Sequence, residues 1–331
     1  MGNNTSITEH KRHYYRELLC IGVPIIIGQL GTIILGFADT LMIGHHSTEE
    51  LAAAGLVNNI ITFILVSYMG FSYGLTPIIG KLYGMEKTDK IGQKVKNSFF
   101  ANMVVGVIFS LALIILYFNL HRIGQPEELL ALIRPYFIVN LISVLFVGVF
   151  NTLKQFLDGI GNTKVAMWVM IMGNIVNIFG NWVLIYGVGP CPEMGLLGAG
   201  ISTLASRVLM AVAMVGIIVG TKEYREYRNN IIASRINGAD FREMNRLGWP
   251  VALQLALESG AFTLSCVMVG WLGTIPLAAH QVMITISQLF YLVLSGMAAA
   301  LAIRVSHFVG QNDFAAVRRN AYDGWRLNLL F

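Results

Sequence analysis

Long, uninterrupted apolar blocks run through this chain, and nothing else constrains its fold as strongly. Eight are complete, over 18–44, 52–80, 98–120, 135–157, 166–187, 198–221, 247–271 and 275–303, and a ninth opens near Trp325. A helix that crosses the hydrocarbon core needs about 20 apolar residues, whereas barrel strands are about half that length and alternate in polarity. These blocks do not alternate, so they read as membrane-spanning helices that satisfy their own backbone hydrogen bonds. The charge content agrees. Only 12% of residues are Asp, Glu, Lys or Arg, against about 25% in a water-facing domain. The net charge of +5 does not indicate nucleic acid, because the basic residues are spread over short loops and form no single face. Cys20, Cys191 and Cys266 are far apart and lack metal-ligand spacing. The stretch from Met1 to Glu9 is polar, so no cleavable signal peptide is expected. The expected class is an all-α, polytopic transmembrane bundle.

Lys and Arg mark the cytoplasmic side of a membrane protein. Lys11, Arg12 and Arg16 precede the first block, and Lys81, Lys87, Lys90, Lys94 and Lys96 surround the second loop. Lys222, Arg225, Arg228, Arg235, Arg242 and Arg246 fill the linker over 222–246. With eight alternating helices these positions fall on one side, and the opposite loops hold only Arg122 and Arg134. The N-terminus and the linker are therefore expected in the cytoplasm.

Sliding the sequence over itself by 226 residues brings Gly22 onto Gly248, Pro24 onto Pro250, Gly70 onto Gly296 and Gly84 onto Gly310. Leu51-Ala52-Ala53 falls on Leu277-Ala278-Ala279 without a gap. Parallel repeats of this kind build two-lobed transporters with the substrate between the lobes. The expected division is a cytoplasmic segment over 1–17, a first lobe over 18–221, the linker over 222–246 and a partial second lobe over 247–331. By this count the second lobe lacks about three helices, and the chain alone is expected not to export.

The stretch Gly36-Phe37-Ala38-Asp39-Thr40-Leu41-Met42-Ile43-Gly44 resembles the first-helix signature of MATE (multidrug and toxic compound extrusion) exporters. Asp158-Gly159 with Thr163-Lys164, Asn177 with Asn181-Trp182, and Tyr186-Gly187 stand at family-like positions. Glu258 and Ala278-Ala279-His280-Gln281 are similar to the bacterial NorM-like branch. The resemblance runs from about Glu17 to the end of the chain. It implies twelve helices in two bundles and export of cationic, amphiphilic compounds against inward Na+ or H+ flow. It also implies that Asp39 and Glu258 carry the coupling cation or proton, one in each lobe, with Na+ as a possible metal at both. Archaeal members tend to have Asp where Asn181 stands, so the archaeal scheme does not carry over to the first lobe.

The residues add their own argument. A carboxylate inside a span costs about 2.5–3.5 kcal/mol on insertion scales, which singles out Asp39 and Glu258. Asn177 and Asn181 are four apart and share a helix face. Their oxygens suit Na+ or a protonated Asp39, and interhelical hydrogen bonding accounts for them equally well. Gln281, His280, Met283 and Tyr291 are candidate substrate contacts, and Pro24 and Pro250 are candidate hinges. Arg207, inside the sixth block, needs water or a partner, and is read as structural, either snorkelling or pairing with a carboxylate such as Asp158.

No zinc, nucleophile-elbow or Walker motif is present. The expectation is a transporter and not an enzyme, with no catalytic residues and no cofactor beyond the coupling ion. It would act as a monomer in the bacterial inner membrane. A lipid-linked oligosaccharide flippase and a non-transporting receptor are the alternatives. The flippase is disfavoured because the span interiors carry mainly carboxylates.

Overall fold

The computed structural model describes residues 2–123 and 126–328. They form eleven α-helices, with no strand among the described residues. In order these are α1 Gly2–His46, α2 Thr48–Tyr73, α3 Leu75–Gly84, α4 Thr88–Phe118, α5 Glu127–Gly159, α6 Thr163–Tyr186, α7 Gly195–Gly220, α8 Arg225–Ala233, α9 Gly238–Gly270, α10 Thr274–Gly310 and α11 Phe314–Asn328. Among the described residues, seven stretches are long and apolar enough to cross a membrane. They correspond to the first six expected blocks and the eighth. The seventh block forms the C-terminal part of α9, a helix of 33 residues.

Local chemistry sets several helix ends. Ser47 caps α2 by accepting from the backbone N–H of Glu49 and Glu50 at 3.3 and 3.5 Å, and both acidic side chains favour that N-terminus. Gly187 ends α6 in the left-handed conformation, φ +65°, which a residue without Cβ adopts at little cost. The helices α1, α2, α4, α5, α6 and α7 pack into one bundle around Phe71, Phe137, Phe156 and Val144. Helix α9 joins this bundle through α2, and α10 joins it through α1 and α3.

The 226-residue offset seen in the sequence recurs in three dimensions. Thr48 and Thr274 start α2 and α10, Gly84 and Gly310 end α3 and α10, and Thr88 and Phe314 start α4 and α11. The only non-glycine residues with positive φ among those described are Glu86 (56°) and Asn312 (57°), again 226 apart. The contacts between the segments repeat as well. A Cβ at Gly70 would lie 2.9 Å from Ala252 Cα, and one at Gly296 would collide with Ile26. A Cβ at Gly22 would meet Met297 Sδ at 2.9 Å, and one at Gly248 would meet Phe71 at 2.7 Å. Gly84 lies against the His307 carbonyl, and Gly310 lies against that of Lys81. In each of these three couples, adding 226 turns one contact into the other. The seam is thus self-complementary, like a two-fold interface within one chain.

Two expectations change. The second block is broken at Gly74, where α2 gives way to α3. A Cβ there would lie 2.9 Å from the Gly248 amide nitrogen, so the break sits at a backbone-to-backbone approach between the segments. The linker is not an open loop: it contains α8, and α9 starts at Gly238, ahead of the expected 247. Asn237 caps α9 by accepting from the Ala239 N–H at 3.0 Å. Pro24 and Pro250, the candidate hinges, lie well inside α1 and α9.

Candidate functional site

Asp39 is half-buried on α1, and the face of α6 that meets it carries Asn177 and Asn181, both fully buried. The Asn181 amide donates to Asp39 Oδ1 at 2.5 Å and to Asn177 Oδ1 at 3.1 Å. Asn177 donates to Thr203 Oγ1 at 3.2 Å and accepts, through its backbone carbonyl, from Ser202 at 2.7 Å. With the Asn177 amide turned over, it donates to Asp39 Oδ1 at 3.0 Å and accepts from the Thr203 backbone N–H at 3.2 Å. In either orientation Asp39 Oδ1 lies against both amides. Asn181 Oδ1 is buried with no hydrogen-bond partner among the described residues, which is costly unless something else satisfies it.

A second shell of polar groups surrounds this cluster. Arg207 of α7 acts electrostatically on Asp39 and Tyr136 and donates to Ser143 Oγ at 2.5 Å. Tyr136 donates to Asn58 Oδ1 at 2.9 Å, which ties α5 to α2. The expected partnership of Arg207 with Asp158 is therefore corrected. Asp158 instead pairs with Lys154, one turn away on α5, at 2.6 Å. Beyond Asp39, at the end of α1, His46 bridges Glu50 and Glu193, each at 2.8 Å. Tyr186 donates to the Met42 carbonyl at 2.9 Å. These contacts tie the ends of α1, α2 and α6 and the loop before α7.

Glu258 sits apart on α9, half-buried, and no hydrogen bond or ion pair joins it to Asp39 among the described residues. Tyr291 of α10 lies within electrostatic reach of it, and Tyr73 lies within reach of Tyr291. Tyr291 and Met283 are exposed, at 50% and 57%. His280 is half-buried, and its Nε2 has no hydrogen-bond partner among the described residues. The side chain of Gln281 lies outside the described residues. Among the described residues, no group of three or more His, Cys, Asp or Glu side chains is arranged to hold a metal ion. Sequence reasoning missed Tyr136 and Ser143, although Tyr136, Asn140 and Ser143 fall at i, i+4 and i+7 and mark a polar face on α5.

The family model described as MatE matches residues 24–183 and 250–331, which span both the Asp39 and the Glu258 helices. The chain belongs to the MatE family. Its relatives within that family include the probable multidrug resistance protein NorM of Photorhabdus laumondii subsp. laumondii. That protein is 31% identical over 298 residues, which cover 90% of this chain and 65% of the relative. The multidrug resistance protein NorM of Photobacterium profundum is 27% identical over 324 residues, 96% of this chain and 70% of the relative. The chain thus spans about two thirds of the length of these MatE proteins. A solved multidrug resistance MATE family transporter in an outward-facing conformation matches with a TM-score of 0.83 at 19% identity, covering 95% of this chain and 69% of that one. The chain is accordingly a multi-pass membrane protein with the MatE fold.

Proposed function

We propose that this MatE chain belongs to a multidrug efflux antiporter that exports cationic or amphiphilic compounds in exchange for inward Na+ or H+. The observation that carries the reading is the Asp39 cluster. There, one carboxylate inside a span faces two buried amides, and one amide carbonyl, Asn181 Oδ1, has no hydrogen-bond partner among the described residues. A cation placed between Asp39 and that carbonyl satisfies both oxygens, and so does a proton shared by them. Glu258 supplies the second acidic group, with Tyr291 within electrostatic reach of it. Pro24 and Pro250 lie inside α1 and α9, the helices that carry Asp39 and Glu258. Each removes one backbone hydrogen bond and permits its helix to bend. Tyr291, Met283, His280 and Gln281 are assigned to the substrate side, because rings and Met adapt to varied apolar cations. The protein acts as a monomer in the bacterial inner membrane with its N-terminus in the cytoplasm, an orientation supported by the Lys and Arg bias.

Efflux of a cationic dye from membrane vesicles, with Na+ and pH varied independently, tests this reading. One of the two gradients is expected to drive efflux in the wild type, and Asp39→Asn and Glu258→Gln should each abolish the dependence on it. Efflux that ignores both gradients would overturn antiport, and full retention in both variants would remove these carboxylates from it.

A further inference from the structure

At the charged end of the molecule, where the two segments meet, α1, α3, the turn after α5 and α10 enclose a cavity of about 620 Å³. No residue proposed above for transport lines it. Arg16 and Glu17 enter from α1, and Arg304 and His307 from α10. Arg304 donates to Glu17, so the single carboxylate is already engaged. Arg16 is exposed and has no ion-pair partner among the described residues. The His307 Nε2–H donates to the Gly159 carbonyl at 2.7 Å, and its ring packs on Tyr83 at 5.0 Å. Two guanidinium groups therefore face the cavity against one carboxylate. The apolar part of the lining is Ile21, Ile160 and Phe308, and the Phe308 ring lies under the Arg304 guanidinium at 5.6 Å.

We propose that this cavity binds a phosphate-bearing anionic amphiphile, with the phosphate between Arg16 and Arg304 and the apolar part along Ile21, Ile160 and Phe308. Guanidinium forks match phosphate oxygens in pairs. The site lies at the ends of two spans, since Tyr15 opens the first and Gly310 closes the last of those described. That is headgroup depth, where basic pockets between helices hold acidic lipids. The occupant is accordingly an acidic phospholipid. Because α1 and α10 both line the cavity, its occupant would also hold the seam between the segments together.

Cys20 opens onto the same cavity and is exposed, so its alkylation reports occupancy. With Cys191 and Cys266 replaced by Ser, maleimide labelling of Cys20 is compared in three preparations: phosphatidylcholine vesicles, the same vesicles containing phosphatidylglycerol, and the first preparation with inorganic phosphate added. Phosphatidylglycerol is expected to slow labelling several-fold. Arg16→Gln should restore the rate, and Arg318→Gln, an exposed site elsewhere on the molecule, should not. Equal protection by inorganic phosphate would assign the pocket to a free anion and overturn the lipid assignment. Absence of protection, or equal relief by both substitutions, would overturn the site itself, the latter by reducing the effect to general surface charge. None of these outcomes depends on antiport activity, so the pocket and the transport reading can fail separately.

Discussion

Asp39 is surrounded by groups that respond to its charge. The Asn181 amide donates to it, and the Asn181 carbonyl has no hydrogen-bond partner among the described residues. Asn181→Ala removes both groups. A hydrogen bond to a charged group is worth about 1.5–3 kcal/mol, so if Na+ drives efflux, the Na+ concentration giving half-maximal rate is expected to rise about tenfold or more. An unchanged midpoint in flux measurements would make Asn181 a packing residue. The pair Lys154–Asp158 gives a second test. Lys154→Met strands a buried carboxylate at a cost of about 3–5 kcal/mol, whereas replacing both residues by apolar ones costs far less. Thermal unfolding in detergent should therefore show the double variant Lys154→Met, Asp158→Leu more stable than the single one. At this scale the sequence singled out Asp39, Glu258 and the Asn177/Asn181 face, because a polar residue stands out in an apolar block, and the structure brings Asp39, Asn177 and Asn181 together. It misplaced the partner of Arg207. Which of several polar groups a long side chain reaches depends on how α5 and α7 pack, and periodicity carries no record of that.

Among the elements, α9 departs furthest from its reading. Hydropathy starts it at the first apolar residue, yet the helix begins about two turns earlier, at Gly238. The reason is tertiary. Asp240 in its first turn accepts from Gln93 at 2.6 Å, Lys94 at 2.7 Å and Asn97 at 3.2 Å, all on α4. Lys96 donates to the Ser234 carbonyl at 2.7 Å, and Asn97 Oδ1 accepts from the Asn237 N–H at 2.7 Å. The linker is thus strapped to α4 by a polar clasp, and basic residues that read as a topology signal also serve as its anchors. Asp240→Ala should loosen the strap and accelerate trypsin cleavage after Arg235 several-fold without altering cleavage after Arg122. Equal cleavage rates in wild type and variant would mean the clasp contributes nothing to linker order. The break at Gly74 was illegible for a related reason, because only the approach of Gly248 gives that glycine its meaning.

For the whole molecule, membrane embedding and the repeat were legible early, since both are patterns in the chain itself. Orientation rests on the Lys and Arg bias alone. A cysteine placed at residue 230 is expected to resist a membrane-impermeant reagent applied to intact cells and to react after lysis; reaction before lysis would invert the topology. The seam offers another test. Gly310→Val would push a side chain into the Lys81 carbonyl, so spin labels on α3 and α10 should move apart by some ångströms, whereas Gly216→Val, at a glycine with open space around it, should leave that distance unchanged. The self-complementary seam has a mechanical consequence too. Gly84 and Gly310 abut each other, and so lie near the axis that exchanges the segments. In a symmetric rocking motion, points near the axis barely travel while remote points sweep an arc. Asp39 lies 17 residues along α1 from Gly22, which at 1.5 Å per residue is about 25 Å of lever arm, so a tilt of about 10° displaces its layer by about 4 Å. In such a motion a glycine contact too tight to admit a methyl group would turn a slight rotation at one face into a displacement wider than a water molecule at the depth of the carboxylate.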